Sequence, residues 1–507
     1  MSDNKVIQDI LVVGGGSAGF LVALTLKIKI PGARVRVLRS PEIGIIGVGE
    51  GTTPALPTHL FSYLNIDQGE FYRIAQPTWK LGIKLLWGPR PSYNYPFVEM
   101  LNRRYQGFNR TVGFYCVDDF EHAHLNASLM SLGKVFARTP DGDPRIGGDL
   151  GFHIENEKFV SYLEAHALKI GIPIVDGTVE RVDRDDGGVK QLHLADGTLL
   201  NSDLYVDCSG FASLLLGKAM EEPFLPFKST LFCDSAVVGS WARGSDEPIL
   251  PYTTAETMDS GWCWRIEHEH QVVRGYVYSS GFITDEAAEA EFRRKNPKVQ
   301  KTRIVRFTPG RRQRNWVGNV IGIGNSSGFV EPLEATSLTT ICGGAKSLTE
   351  FLTINGMRIT DSIRRYYNKQ AEGAWEDTRE FLGVHYKFNT RLDTPFWQEC
   401  RASVDLGEAQ ALVDYYRENG PVLFSPGLIS RPNSVFGVEG YMNMFVGQAV
   451  PHENHYTPTA DELQRWKNIR QKNHDQAQQG FTVAQALAEI RSPEWVWNNS
   501  FYRQAIY

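Results

Sequence analysis

The stretch from Ile10 to Lys27 constrains the fold more than any other. Ile10 to Val13 is a short run of mostly branched apolar residues, as in a strand buried on both faces. Gly14, Gly15, Gly16, Ser17, Ala18 and Gly19 follow at once and open an apolar helix from Phe20 to Lys27. A GxGxxG turn between a strand and a helix brings free backbone amides close to an anion, with glycines where a Cβ would collide. Such a turn cradles a dinucleotide pyrophosphate, with Gly14, Gly16, Ser17, Ala18 and Gly19 as the contact positions. The second strand, Arg34 to Leu38, ends at Arg39, where the fingerprint expects an acidic residue for the ribose hydroxyls. Arg39 reads equally as a contact to a phosphate or the adenine and as a solvated surface charge.

A second turn lies far along the chain, in NVIGIGNSSGFVEPLEATS from Asn319 to Ser337. Val320 to Ile323 is patterned as a buried strand, and Gly322, Gly324 and Gly328 allow close approach to something flat. Pro332 blocks an early helix and holds Glu331 to Glu334 extended. Thr336 and Ser337 are helix-capping types ahead of Leu338 to Phe351, so amides at this helix start face outward and suit an anion, a halide among them. The bland alternative is an ordinary strand, loop and capped helix with solvated glutamates.

With 507 residues the chain has room for about three domains. Its 42% apolar and 22% charged residues are those of a soluble globular protein, and a net charge of -5 leaves no basic footprint for nucleic acid. Six cysteines are scattered without metal-ligand or disulfide spacing, which points to reduced, structural thiols and a cytoplasmic setting. The opening MSDNKVIQ lacks a signal-peptide core, and no apolar run is long enough for a membrane span. His122, His268 and His270 lack partners at ligand spacing, so no metal is expected.

Between the two turns, Gly47 to Pro54 reads GVGEGTTP and Trp79 to Trp87 reads WKLGIKLLW. Alternation makes the latter a strand with Lys80, Gly82 and Lys84 on one side. By pattern alone both lysines are solvated; facing a cavity, either would be expensive unless paired or hydrated. Tyr205 to Gly210 enters another turn, with Asp207 available to backbone or cofactor. Trp262 and Trp264 share a strand face, as core or as the wall of a ligand site. Beyond Leu338 amphipathic segments such as Asp361 to Tyr386 and Gly407 to Asn419 predict a helical layer. Arg431 to Val450, with Phe436, Tyr441, Met444 and Phe445, reads as a pocket lid or a packed surface. No repeat or low-complexity linker interrupts the chain, and one compact unit is expected.

Taken in order, these pieces resemble the flavin-dependent halogenases of the tryptophan halogenase family. The resemblance runs through GGGSAG at Gly14 to Gly19, GVGEGTTP at Gly47 to Pro54, IKL around Lys84, DCSGF at Asp207 to Phe211 and WCWRI at Trp262 to Ile266. It continues in GNSSGFVEPLEAT at Gly324 to Thr336, YN at Tyr367 and Asn368, and REFLGVHY at Arg379 to Tyr386. It implies an α/β (α+β) fold: a Rossmann-like FAD-binding domain of the flavin monooxygenase type with mixed sheets, covered by a mainly helical C-terminal substrate-binding region. The boundary falls at 345/346, with strand-rich substrate segments interleaved in the first part.

The resemblance further implies that FADH2 from a separate flavin reductase meets O2, and that the flavin C4a-hydroperoxide is attacked by chloride or bromide to give hypohalous acid. Lys84 matches the family's essential lysine and Glu334 its active-site glutamate. Arg39, Gly49, Glu50, Gly324 and Gly328 join the GxGxxG positions around FAD, and Thr336 and Ser337 hold the halide. Tyr95, Phe97, Trp262, Trp264 and Tyr441 line the pocket for a small aromatic, indole-type substrate. Here Ala335, Thr336 and Ser337 stand where the family commonly has serine, threonine and glycine, and Glu267 replaces the proline of the family's WxWxIP box. The tyrosine at 95 favours indole or a larger indole-bearing compound over tightly clamped free tryptophan. The alternatives are a flavin-dependent aromatic monooxygenase and a non-catalytic flavin-binding protein.

Overall fold

The computed structural model describes residues 6–44, 49–98, 121–421, 431 and 434–497. They fall into two compact units, each assembled from three separate stretches of chain. One comprises 1–76, 154–227 and 308–376; the other comprises 77–153, 228–307 and 377–507. The chain therefore interleaves its two units, whereas the sequence suggested one compact unit divided at 345/346. That boundary falls inside the helix Ser337–Ile354.

The first unit is built on a six-stranded sheet in the order Trp316–Val317, Val320–Gly322, Leu204–Asp207, Asp9–Val13, Arg34–Arg39, Ile174–Asp176. All pairs are parallel except the hairpin of the first two. Ile10 to Val13 are buried, as a run without polar alternation requires in a sheet covered on both faces. On one face Leu11, Val13, Leu38, Tyr205 and Val320 pack with Val189, Leu192 and Leu194 of an antiparallel ribbon. A small antiparallel sheet joins Phe224–Pro226, Gly310–Arg312 and Gly328–Phe329.

The second unit holds a seven-stranded mixed sheet. Its order is Thr302–Arg306, Ser235–Ala242, Gln271–Tyr278, Gly261–Glu267, Thr253–Met258, Gly82–Leu86, Tyr93–Pro96. Only Thr253–Met258 and Gly82–Leu86 run parallel. Val237, Cys263 and Tyr276 pack with Ala288 and Phe292 of the helix Asp285–Lys295. From Asp377 onward the described regular elements are helices, ending with Ala460–Gln478 and Val483–Ile490, each opened by a threonine capping box. The C-terminal region is thus helical, as its amphipathic periodicity predicts.

Among the described residues no helix is long and apolar enough to cross a membrane. Cys208, Cys233, Cys263, Cys342 and Cys400 are buried free thiols.

Candidate active site

In the first unit, the GxGxxG turn has the geometry its glycines require. Gly14 has φ +134°, and a Cβ there would lie 2.2 Å from the Cys208 carbonyl oxygen. A Cβ on Gly19 would lie 1.8 Å from the Gly14 carbonyl oxygen, so the helix Ser17–Lys29 packs directly on the turn. Gly16 caps that helix in an extended conformation with no side-chain hydrogen bond, and the space where its Cβ would be is open. The first-turn amides are left uncapped by any side chain, and the backbone before them is bare. These residues fit the pyrophosphate of a dinucleotide.

Arg39 lies across this turn, its side chain where a Cβ on Gly15 would be. Its Nε donates to Asp176 at 2.8 Å and its Nη1 to Glu164 at 2.6 Å. The Asp176 hydrogen bond chiefly raises its pKa, with Glu164 adding to the effect. Arg39 is therefore an ion-paired residue, not a freely solvated charge. Asp207, open to either role in the sequence, accepts from Ser209, Leu215 and Leu216 amides and so closes its own turn. Gly49 has φ +69°. The Glu50 carboxyl accepts from Asn156 Nδ2 at 2.9 Å, and burial pushes its pKa up. Gly47 and Val48 lie outside the described residues.

The second turn meets the first. Gly324 has φ +75°, and a Cβ there would come within 3.1 Å of Ala18 Cβ in the dinucleotide helix. Gly328 serves packing instead, because its Cβ would lie 2.8 Å from both the Gly310 oxygen and the Trp375 ring. Pro332–Glu334 form one short turn in which Glu334 is 2% exposed. Ala335 follows in the left-handed region at φ +56°. A non-glycine residue held there carries about 1–3 kcal/mol of strain. Thr336 is the N-cap of Ser337–Ile354 yet makes no side-chain cap hydrogen bond. Thr336 is buried and Ser337 exposed. The helix start keeps first-turn amides that no side chain caps, as an anion site needs.

In the second unit, the two lysines part company. Trp79 to Trp87 is not one strand: Thr78–Lys80 pairs with Gly151–Ile154, and Gly82–Leu86 enters the seven-stranded sheet. The break falls at Leu81, whose amide donates to Pro251. Gly82 is needed there, since a Cβ would sit 2.2 Å from the Tyr95 oxygen. Residues paired in a ladder share a face, and successive residues alternate. Lys84 pairs with Thr254, which pairs with Arg265; Leu85 pairs with Ala255, which pairs with Trp264. Ile83, on the Leu85 side, pairs with Tyr95. Lys84 thus stands on the face opposite Trp264, Trp262 and Tyr95, half-buried, 5.7 Å from the Tyr252 ring centroid. Lys80 is 0% exposed, and its ammonium lies 5.1 Å from the ring centroid of Phe97, two residues beyond Tyr95.

The tryptophans of the WCWRI segment are buried, 6.0 Å apart and tilted by 56°. Gly275, opposite Trp264, makes room for it: a Cβ would lie 2.0 Å from the indole. Tyr441 is buried on the helix Gly437–Gly447, its ring edge-on to Phe381 at 4.9 Å. Phe381 also meets Tyr95 at 6.1 Å and stacks on Phe436 at 3.9 Å. Burial, with Asp377 and Glu380 adding to it, pushes the Tyr441 hydroxyl well above its usual pKa. Phe381 lies in the REFLGVHY segment, but nothing local in the sequence marks it as the ring that meets Tyr95, Phe436 and Tyr441.

Glu267, at the family's proline position, is a buried carboxylate, its side chain 1% exposed. It bonds Arg243 and, at 2.6 Å, Arg265 Nε; Arg265 also reaches Glu247. Arg243→Ala leaves that carboxylate one guanidinium short. We expect a loss of about 3 kcal/mol, read as a lower urea midpoint, whereas Arg243→Lys recovers part of it.

The first unit, a mainly parallel sheet whose GxGxxG turn fits a dinucleotide, is of the nucleotide-cofactor-binding class. The sequence model of the tryptophan halogenase family matches residues 9–465. The chain is 34% identical to the tryptophan 7-halogenase RebH of Lentzea aerocolonigenes, over 81% of this chain and 82% of RebH. Among solved structures, MibH, a lanthipeptide tryptophan 5-halogenase, superposes with a TM-score of 0.88 at 36% identity, covering 97% of this chain and 95% of MibH. BrvH, a flavin-dependent halogenase from Brevundimonas sp. BAL3, does so with a TM-score of 0.84 at 27% identity, covering 97% and 100%. The chain belongs to the tryptophan halogenase family and is a flavin-dependent enzyme.

Proposed function

We propose that this chain uses reduced FAD from a separate flavin reductase, O2, and chloride or bromide to generate hypohalous acid, and that Lys80 and Glu334 apply it to an indole ring. When bound, the reduced flavin supplies the electrons that activate O2 toward the halide. The observation that carries this reading is the buried Lys80 ammonium at the ring of Phe97. A buried lysine is expensive to fold around, and sites where chains bear that expense are sites of chemistry. Lys84, the family match in the sequence, stands on the sheet face away from the tryptophans, so the role moves four residues back.

The ammonium of Lys80 donates to the oxygen of hypohalous acid and makes the halogen electrophilic. The ring carbon bonds the halogen, the oxygen leaves as water with a lysine proton, and Glu334 takes the ring proton. The uncapped helix start at Thr336 and Ser337 is the proposed halide cradle, and the Gly14–Gly19 turn the pyrophosphate cradle. Gly49, Glu50 and Gly324 remain proposed FAD contacts. The rings of Tyr95, Phe381, Phe436 and Tyr441 supply surfaces for an indole, the group that the relatives' tryptophan substrates share.

The test is mass spectrometry of reactions holding the protein, FAD, a flavin reductase with NADH, bromide, and either tryptophan, indole or a tryptophan-containing peptide. A bromine isotope pattern in any product supports the reading; oxygenated product without halogen overturns it. Glu334→Gln should lower kcat by about 10²-fold while FAD affinity holds, as loss of one proton acceptor predicts. Stopped-time bromination assays and fluorescence titration of FAD check both halves.

A further inference from the structure

Lys80 sits where the chain passes from an antiparallel ribbon into the seven-stranded sheet, and a buried histidine stands beside it. Thr78–Lys80 pairs antiparallel with Gly151–Ile154, with Thr78 opposite His153 and Lys80 opposite Gly151. Paired residues share a face and so do residues two apart, so His153 lies diagonal to Lys80 on the same face. Gly151 leaves the position directly opposite Lys80 without a side chain. His153 is 0% exposed, and its Nε2 shares a hydrogen bond with Thr253 Oγ1 at 2.9 Å. Thr253 belongs to the seven-stranded sheet, where it pairs with Ile83, three residues beyond Lys80. The imidazole thereby ties the ribbon to the sheet across the corner that holds Lys80. A second tie comes from the other member of the same pair: Thr78 Oγ1 donates to the Glu267 carbonyl oxygen at 2.5 Å.

We propose that His153 is a positioning residue for Lys80: an imidazole that, through its hydrogen bond to Thr253, fixes the corner from which the ammonium projects. The inference rests on the assignment of Lys80 as the working lysine. The charged and titratable groups around the ring are Lys80 on its partner strand, Glu267 and His268 at the end of Gly261–Glu267, and Arg243 beyond Ser235–Ala242. Burial is the main force holding the imidazole well below its usual pKa, followed by Lys80, His268 and Arg243, while the Glu267 carbonyl opposes them. Protonation is therefore disfavoured as long as the corner stays intact. A permanent cation at position 153 would stand diagonal to Lys80 on the same face, in a site where buried like charges repel strongly.

Three full-length variants, His153→Gln, His153→Leu and Thr253→Val, test this beside Lys80→Ala. Two readouts are used: kcat and KM for bromination of tryptophan, and competitive acetylation of Lys80 across pH, followed by peptide mass spectrometry without substrate. His153→Gln keeps a neutral hydrogen-bonding group and should hold kcat within about threefold. His153→Leu removes the tie and should lower kcat about tenfold or more, with KM within about twofold, and should change the acetylation profile of Lys80. Thr253→Val removes only the hydrogen bond and should move both readouts in the same direction, which keeps the test decisive if the leucine variant fails to fold. Wild-type kcat and an unchanged Lys80 profile in His153→Leu, or in Thr253→Val if leucine does not fold, overturn the inference and leave the Lys80 assignment standing. Full activity in Lys80→Ala overturns that assignment, and the inference with it.

Discussion

Replacing Lys80 with methionine should abolish bromination, by about 10³-fold or more in kcat, while FAD still binds. Methionine nearly matches the lysine stem in volume and removes only the ammonium and its hydrogen bonds. Where a buried charge serves structure, its loss destabilises; where it serves chemistry, an apolar replacement of similar volume is neutral or stabilising. Lys80→Met should therefore melt at or above the wild-type temperature as activity disappears. Lys84→Ala, assayed in parallel, should keep kcat within about threefold, because its half-buried side chain stands away from the tryptophan face. The reverse pattern, an inert Lys80 and an essential Lys84, would return the catalytic role to the residue chosen from sequence. Because the pair is four residues apart in one short segment, a single set of assays decides between them.

That pair also marks where sequence stops being sufficient. The Gly14–Gly19 turn was legible because its pattern is local: strand, glycines and helix lie within one short segment, and Gly19 answers to Gly14 inside it. The helical C-terminal region was legible for the same reason, through its periodicity. The break at Leu81 was not, since it depends on the close approach of Gly82 to Tyr95 and Pro96, a tertiary contact with no local trace. Without that break, alternation puts Lys80 and Lys84 on one side and offers no reason to prefer either. Arg39 was ambiguous because its partners, Glu164 and Asp176, arrive from a helix and a strand more than a hundred residues later. The packing roles of Phe381, inside REFLGVHY, and of Gly275 were not legible for a related reason. Each matters through one partner, Phe436 or Trp264, that only the packing or the sheet register supplies. The interleaving of the two units is hidden in the same way, because no change of composition marks the points where the chain crosses between them.

Gly19→Ala should cost the protein its flavin. A Cβ at residue 19 would fall 1.8 Å from the Gly14 carbonyl oxygen, far inside any contact distance, and that oxygen is backbone and cannot swing aside. The helix Ser17–Lys29 would have to lift from the turn by more than an ångström. Lifting is resisted from both sides: the Gly14 amide is bound to the Leu38 carbonyl at 2.8 Å, and Gly19 to Leu26 are buried. The part that yields is the turn itself, and with it the row of amides that an incoming pyrophosphate must meet together. Misplacing such donors by an ångström typically forfeits about 10²-fold in function, so FAD affinity should fall by at least that factor. Gly16→Ala supplies the control. Its Cβ would enter open space, and φ of -93° suits any residue, so the fold should hold and any loss of FAD affinity would report direct crowding of the cofactor. Equilibrium FAD titration of both variants, with far-ultraviolet circular dichroism to confirm folding, separates the two effects. Wild-type FAD affinity in a folded Gly19→Ala protein would show that the turn is not the pyrophosphate cradle, and the FAD-binding role of Gly14 to Gly19 would have to be given up.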